Sequence, residues 1–233
     1  LLVIGGIDTG KTTLCAVLAR AAFEAGRRTA VVDGDIGQSD IGPPATVAFS
    51  LVKQEFARLQ ELETEGLFFV GSCSPERHLL QMAVGVARMA EEARARGAET
   101  VVVDTTGLVA GGVGRALKAA KIRLLEADCV IALQREGELE PLLAPYRLRV
   151  RPEVIRLSPS RLAAARSREE RAAYRRQRFA EYFAGAEAVK FAFGEVAFEG
   201  SLLGSGRELA GHLSVFAGDT LETELVHGEV TAE

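Results

Sequence analysis

Three observations predict an α/β fold with a mainly parallel sheet flanked by helices. Short apolar runs alternate with helix-length stretches, the runs are rich in β-branched residues, and a glycine-rich turn joins the first run to the first helix. The strand candidates are residues 1–5, 29–33, 67–71, 100–104, 128–133 and 153–157, apolar on both faces as strands covered by helices should be. Residues 11–25, 76–96 and 114–127 carry apolar positions at helical spacing and end near Gly26, Gly97 and a strand. Residues 160–183 are rich in alanine and arginine with little apolar content before Phe179, which predicts an exposed helical arm outside the core. After Gly185 alternating residues and frequent glycines predict a small β-rich segment over 186–233, leaving 1–185 as the main domain.

With 233 residues and 48% hydrophobic content the chain can bury one substantial core. No window approaches the roughly 20 apolar residues of a membrane-spanning helix, and no charged leader precedes an apolar signal segment. Cys15, Cys73 and Cys129 are isolated cysteines without metal-site spacing, so a reducing, cytoplasmic location is expected. The sequence opens on Leu1 inside an apolar run and is expected to continue upstream. Although the net charge is -4, eleven arginines fall between Arg147 and Arg178 against three acids, while 199–233 hold seven acids and one arginine. The basic stretch is suited to meet anions.

Gly5-Gly6-Ile7-Asp8-Thr9-Gly10-Lys11-Thr12 fits GxxxxGK[ST] between a strand and a helix, the phosphate-binding P-loop. Its backbone N–H groups and the helix N-terminus favour phosphates, so a nucleoside triphosphate with Mg²⁺ is expected. Gly6, Asp8, Thr9, Gly10, Lys11, Thr12 and Thr13 are the expected nucleotide contacts, with Lys11 on the β- and γ-phosphates and Thr12 on the metal. Asp33-Gly34-Asp35 follows the next strand, placing two carboxylates where a parallel sheet delivers its ligands; they can support the metal or accept a hydroxyl proton. Asp104 ends a third apolar strand as a further metal-supporting acid, and Thr105, Thr106 and Gly107 lie where a backbone can approach substrate. A lone His78 near a helix start is read as capping or packing.

Four blocks in order, GGIDTGKTTL, VVDGDIGQSDIGPPATVA, VVVDTTGLVAGGVGRAL and RSREERAAYRRQRFAEYFAG, resemble the P-loop polynucleotide 5′-hydroxyl kinases. That family includes the RNA kinases of tRNA splicing, mRNA 3′-end processing and ribosomal RNA processing. The resemblance implies transfer of the γ-phosphate of ATP to an RNA or DNA 5′-hydroxyl, with Asp35 polarising the hydroxyl and Asp33 supporting it. It places Gln38 near the phosphates, metal and substrate, and makes 166–183 a mobile lid whose Arg171, Arg175 and Arg178 stabilise the transferring phosphoryl group. Where the family's clasp has tryptophan after its glycine, this chain has Leu108 and contains no tryptophan. That removes a stacking contact of ~1–3 kcal/mol per base. Asp104 also replaces an expected asparagine.

Two other readings use the same motifs. A nucleotide-dependent switch or targeting NTPase would hydrolyse its nucleotide and change partners. Asn-Lys-x-Asp, the usual guanine signature, is absent, which disfavours GTP. A small-molecule kinase would carry a similar arginine lid.

Overall fold

The computed structural model describes residues 1–191, 207–208 and 229–230. The chain divides into two compact units, Leu1–Ala184 and Gly185–Glu233. In the first, β1 (Leu2–Gly5), α1 (Lys11–Glu24) and β2 (Thr29–Gly34) are followed by β3 (Thr46–Leu51), β4 (Gly66–Phe69) and α2 (Leu79–Ala95). Next come β5 (Thr100–Thr105), α3 (Gly111–Leu124), β6 (Cys129–Leu133), α4 (Glu140–Leu143), β7 (Glu153–Leu157) and α5 (Arg168–Tyr182).

Seven strands form one sheet in the order β4-β3-β2-β5-β1-β6-β7. From β2 to β7 the pairs are parallel, whereas β3 pairs antiparallel with both β2 and β4. Alternation along β1 shows why both faces are covered. Leu2 and Ile4 enter a core under α2, α3 and α4, with Met82, Val86, Leu117 and Leu143, while Val3 enters the opposite core with Cys15 and Ala19 of α1. The sheet is thus sandwiched between apolar helix faces.

The structure corrects several expectations. β3 was not among the predicted strands, although Thr46-Val47-Ala48-Phe49 carries β-branched and aromatic residues, and it lies almost wholly buried. The strand expected at 67–71 is Gly66–Phe69, antiparallel at the sheet edge and half exposed on alternate residues, not covered on both faces. The edge strand β7 is likewise largely exposed, with its hydrogen bonds made to β6 alone. The arm expected to be helical from 160 becomes helical only at Arg168. There Ser167 accepts a hydrogen bond from Glu170 N and the Glu170 carboxylate accepts one from Ser167 N, a reciprocal cap that fixes the start.

Among the described residues no helix is long and apolar enough to cross a membrane. In the second unit Arg207–Glu208 pairs antiparallel with Glu229–Val230. Of the alternating stretches expected to be β there, 189–199 and 213–230, residues 189–191 carry no strand and Glu229–Val230 lies in this pair, while 192–199 and 213–228 lie outside the described residues.

Candidate active site

The carboxyl ends of β1, β2 and β5 lie side by side, with Asp33 opposite Asp104 and Gly34 opposite Thr105 in the β2–β5 ladder. A parallel sheet therefore brings three loops far apart in sequence to one edge. Together with α5 they line a cleft of about 1370 Å³.

Of the predicted nucleotide contacts, Gly6, Asp8, Gly10, Lys11, Thr12 and Thr13 line this cleft. Gly10 turns the chain into α1 at φ 84°, a left-handed conformation that glycine adopts without penalty. α1 has neither a side-chain cap nor an acid in its first turn, which leaves its N-terminal amides to the cleft. Lys11 Nζ donates to Gly6 O at 2.7 Å. Thr9 is buried and works inside the loop, its hydroxyl donating to the same carbonyl at 3.0 Å. Gly107 packs on this loop so closely that a Cβ there would lie 2.6 Å from Ile7 Cγ1 and 2.8 Å from its Cα.

The three predicted acids separate into different jobs. Asp35 lines the cleft, and its Oδ1 accepts from Gly37 N at 3.0 Å and Gln38 N at 3.2 Å. Those bonds fix the carboxylate and leave Oδ2 for another partner. Asp104 is buried, and Thr12 Oγ1 donates to its Oδ2 at 2.5 Å, so it reaches the cleft through Thr12. Burial pushes the Asp104 carboxyl up to about 6, opposed by the charge of Lys11 and by the Thr12 hydrogen bond. Asp33, expected at the metal, does not reach the cleft. Its Oδ1 accepts from Asp35 N, and its Oδ2 from Asp40 N at 2.6 Å and Ile41 N at 3.0 Å, which folds the loop carrying Asp35. Burial, followed by the charges of Asp104 and Asp40, holds Asp33 well above the usual carboxylate range.

Loss of a buried acceptor for three amides costs roughly 2–4 kcal/mol. Asp33→Ala is therefore expected to lower Tm by about 10 °C at ~2–4 °C per kcal/mol. Thermal unfolding checks this; an unchanged Tm with weakened metal dependence would return Asp33 to the metal site.

The predicted substrate loop also divides. Thr106 and Gly107 line the cleft, but Thr105 is fully buried with its hydroxyl donating to Val3 O at 2.8 Å, which ties β5 to β1 and removes it from substrate contact. Gln38 lines the cleft and reaches the lid, donating through Nε2 to Arg171 O at 3.3 Å and accepting from Arg166 Nη1 at 3.4 Å.

Helix α5, the expected lid, crosses over these loops. Arg171 and Arg175 line the cleft as expected, and Arg171 Nη1 lies 3.0 Å from Asp8 Oδ2. Arg178 does not line it. Its Nη2 donates to Asp40 O at 2.9 Å and Gly42 O at 3.1 Å, because a position seven residues beyond Arg171 falls over the β2–β3 loop, away from the P-loop. Arg178 thus anchors the lid to the same loop that carries Asp35.

The sequence matches the family described as mRNA cleavage and polyadenylation factor CLP1 P-loop over residues 5–185. The chain belongs to this family. Relatives of this CLP1 P-loop chain include a polyribonucleotide 5′-hydroxyl-kinase of Pyrococcus abyssi (strain GE5 / Orsay), 36% identical over 89% of this chain and 57% of that protein. A polyribonucleotide 5′-hydroxyl-kinase of Thermococcus kodakarensis is 38% identical over 87% of this chain and 56% of its own length. A CLP1 homolog of Culex quinquefasciatus is 29% identical over 80% and 45%. The chain thus spans little more than half the length of the archaeal kinases it matches. In fold it is similar to the wild-type Clp1p–Pcf11p complex, with a TM-score of 0.64 over 82% of this chain and 50% of that one, at 15% identity. Nucleotide binding follows from the family and its P-loop.

Three features of this CLP1 P-loop site escaped the sequence reading. Arg166, only part of the lid in sequence, lines the cleft as its third lid arginine. Tyr174 OH donates to Asp40 Oδ1 at 2.5 Å and latches α5 beside Arg178. Lys118 and Lys121 of α3 are fully buried. One signal could have found the lysines: Gly114, Lys118, Lys121 and Leu125 repeat at 4, 3 and 4 residues, a stripe that α3 turns inward.

Proposed function

We propose that this chain acts as a polynucleotide 5′-hydroxyl kinase, transferring the γ-phosphate of ATP to the 5′-OH of an RNA or DNA end. One observation carries the reading: a phosphate cradle, a fixed carboxylate and three lid arginines meet in a single cleft. Its ~1370 Å³ exceeds the roughly 300–1000 Å³ of a pocket for one small ligand, so a triphosphate and a second substrate fit together. The archaeal relatives named polyribonucleotide 5′-hydroxyl-kinase support the choice of acceptor.

In this reading Asp35 Oδ2 accepts the proton of the 5′-hydroxyl as its oxygen attacks the γ-phosphorus. The O5′–Pγ bond forms, the bond from Pγ to the β,γ-bridging oxygen breaks, and ADP leaves. Lys11 and the P-loop amides hold the β- and γ-phosphates. Arg166, Arg171 and Arg175 face the transferring group with positive charge, the main contribution a protein makes to phosphoryl transfer. Gln38 carries the position of the lid to the loop of Asp35.

The Thr12 hydroxyl beside the Asp104 carboxylate is a small oxygen donor set of the kind Mg²⁺ uses together with phosphates. Thr12 and Asp104 would hold the ion, which would supply charge neutralisation at the phosphates.

Cation binding favours ionised Asp104, whose folded value is raised, so Mg²⁺ affinity is expected to rise as pH increases through about 6. The Mg²⁺-dependent increase in Tm should be larger at about pH 8 than at about pH 5, and this difference should vanish in Asp104→Asn. Equal increments in the unsubstituted protein would exclude Asp104 from the metal.

The deciding assay incubates labelled ATP with 5′-hydroxyl RNA and DNA oligomers. Label on an oligomer supports the kinase; release of phosphate with no labelled oligomer overturns it in favour of a hydrolysing switch.

A further inference from the structure

α3 carries two lysines with no exposed surface, Lys118 and Lys121. Ammonium groups are seldom buried so completely, since removing each from water costs several kcal/mol unless it is paired and hydrogen-bonded. Lys118 Nζ donates to Thr106 O at 2.5 Å and contacts Thr106 Oγ1 at 3.3 Å. Lys121 Nζ donates to Gly34 O at 3.4 Å and lies 3.2 Å from where a Cβ on Gly34 would sit.

These carbonyls belong to the two loops that build the site. Thr106 precedes Gly107, which abuts the P-loop at Ile7, and Gly34 precedes Asp35. Gly34 and Thr105 are ladder partners, so the two ammonium groups sit side by side beneath the adjoining ends of β2 and β5. The acids at these strand ends, Asp33, Asp35 and Asp104, lie near enough to act on Lys121. Burial draws the Lys121 ammonium down to about 8, while Asp35, Asp104 and Asp33 work to keep its charge.

We propose that Lys118 and Lys121 are positioning residues that lock both catalytic loops to one rigid helix, Lys118 through the Thr106 carbonyl and Lys121 through the Gly34 carbonyl. Each aims its loop along the backbone and touches neither substrate. Tied in this way to α3, the loops hold their places before any ligand arrives. A helix is a better reference than a loop for such aiming, because its own geometry is fixed by packing against α2 and the sheet.

The kinetic part of the test rests on the kinase reading. Lys118→Met and Lys121→Met keep an unbranched apolar stem, one atom shorter, and remove the donor. Each is expected to lower kcat about tenfold or more while the KM for ATP stays within about twofold, because the P-loop is untouched. Lys118→Arg, which keeps charge and donor, is expected to recover part of the loss.

Hydrogen exchange on the same full-length proteins reads the loops directly. Exchange should accelerate over 105–110 in Lys118→Met and over 34–42 in Lys121→Met, with α1 unchanged. Should the methionine variants not fold, Lys118→Gln and Lys121→Gln serve instead, one bond too short to reach the carbonyls, with the same loops expected to exchange faster.

Wild-type exchange in both loops, or a uniform acceleration across the chain with kcat and KM for ATP moving together, would overturn the proposal. Loop-specific acceleration in a protein that labels no oligomer would leave the positioning role standing and remove the kinase reading.

Discussion

Asp35→Asn is expected to reduce transfer to a 5′-hydroxyl end about 10³-fold while ATP binding remains near wild type. The substitution is close to isosteric. An asparagine Oδ1 can still accept from Gly37 N and Gln38 N, so the loop keeps its shape. What disappears is the second oxygen's capacity to take a proton. Transfer measured with labelled ATP, beside calorimetric titration of the nucleotide, separates the two effects. Activity within about threefold of wild type would remove Asp35 as proton acceptor, and equal losses in binding and turnover would make it a structural residue.

Arg175→Ala is the second large effect, an expected fall of ~10²–10³ in kcat with the KM for ATP changed only a few-fold. Arg171 already pairs with Asp8, and Arg178 is held by two carbonyls of the β2–β3 loop. Arg175, half-buried at the cleft wall, has no hydrogen-bond partner among the described residues, so its donors are available to the transferring group. Steady-state kinetics with ATP and oligomer varied independently supply the check. A loss confined to ATP affinity would contradict a role in stabilising the transition state.

The nucleotide cradle was legible from sequence because its information is local. Eight consecutive residues between a strand and a helix define the backbone path, and Lys11 and Thr12 both line the cleft at the start of α1. Asp35 and Asp104 could be read for a related reason, since residues just past parallel strands converge whatever the intervening chain.

Residues whose role depends on how a loop folds or on a distant partner were not legible. Asp33 and Asp35 look alike in sequence, two positions apart, but one points into its own loop and the other into the cleft. Thr105 and Thr106 are equally indistinguishable until β1 lies beside β5. Arg178 continues the basic pattern of the lid on nearly the same helix face, yet two turns of displacement along the axis, about 10 Å, set it over the β2–β3 loop and its carbonyls. β3 has residues suited to a strand, but its place, antiparallel between β2 and β4, is what no local pattern states.

One further consequence follows from the make-up of α5. No residue of this 15-residue helix is buried. Its hold on the rest of the first unit is polar: an ion pair to Asp8, a phenol between Asp40 and Gln60, the Gln38 amide on the Arg171 carbonyl and a guanidinium on two carbonyls, with no apolar face set into either core. Partly buried polar contacts of this kind are each worth on the order of 1 kcal/mol, and ionic strength weakens only the Arg171–Asp8 pair among them. The arm is therefore held far less firmly than either core and is expected to open at a lower free energy than the sheet beneath it.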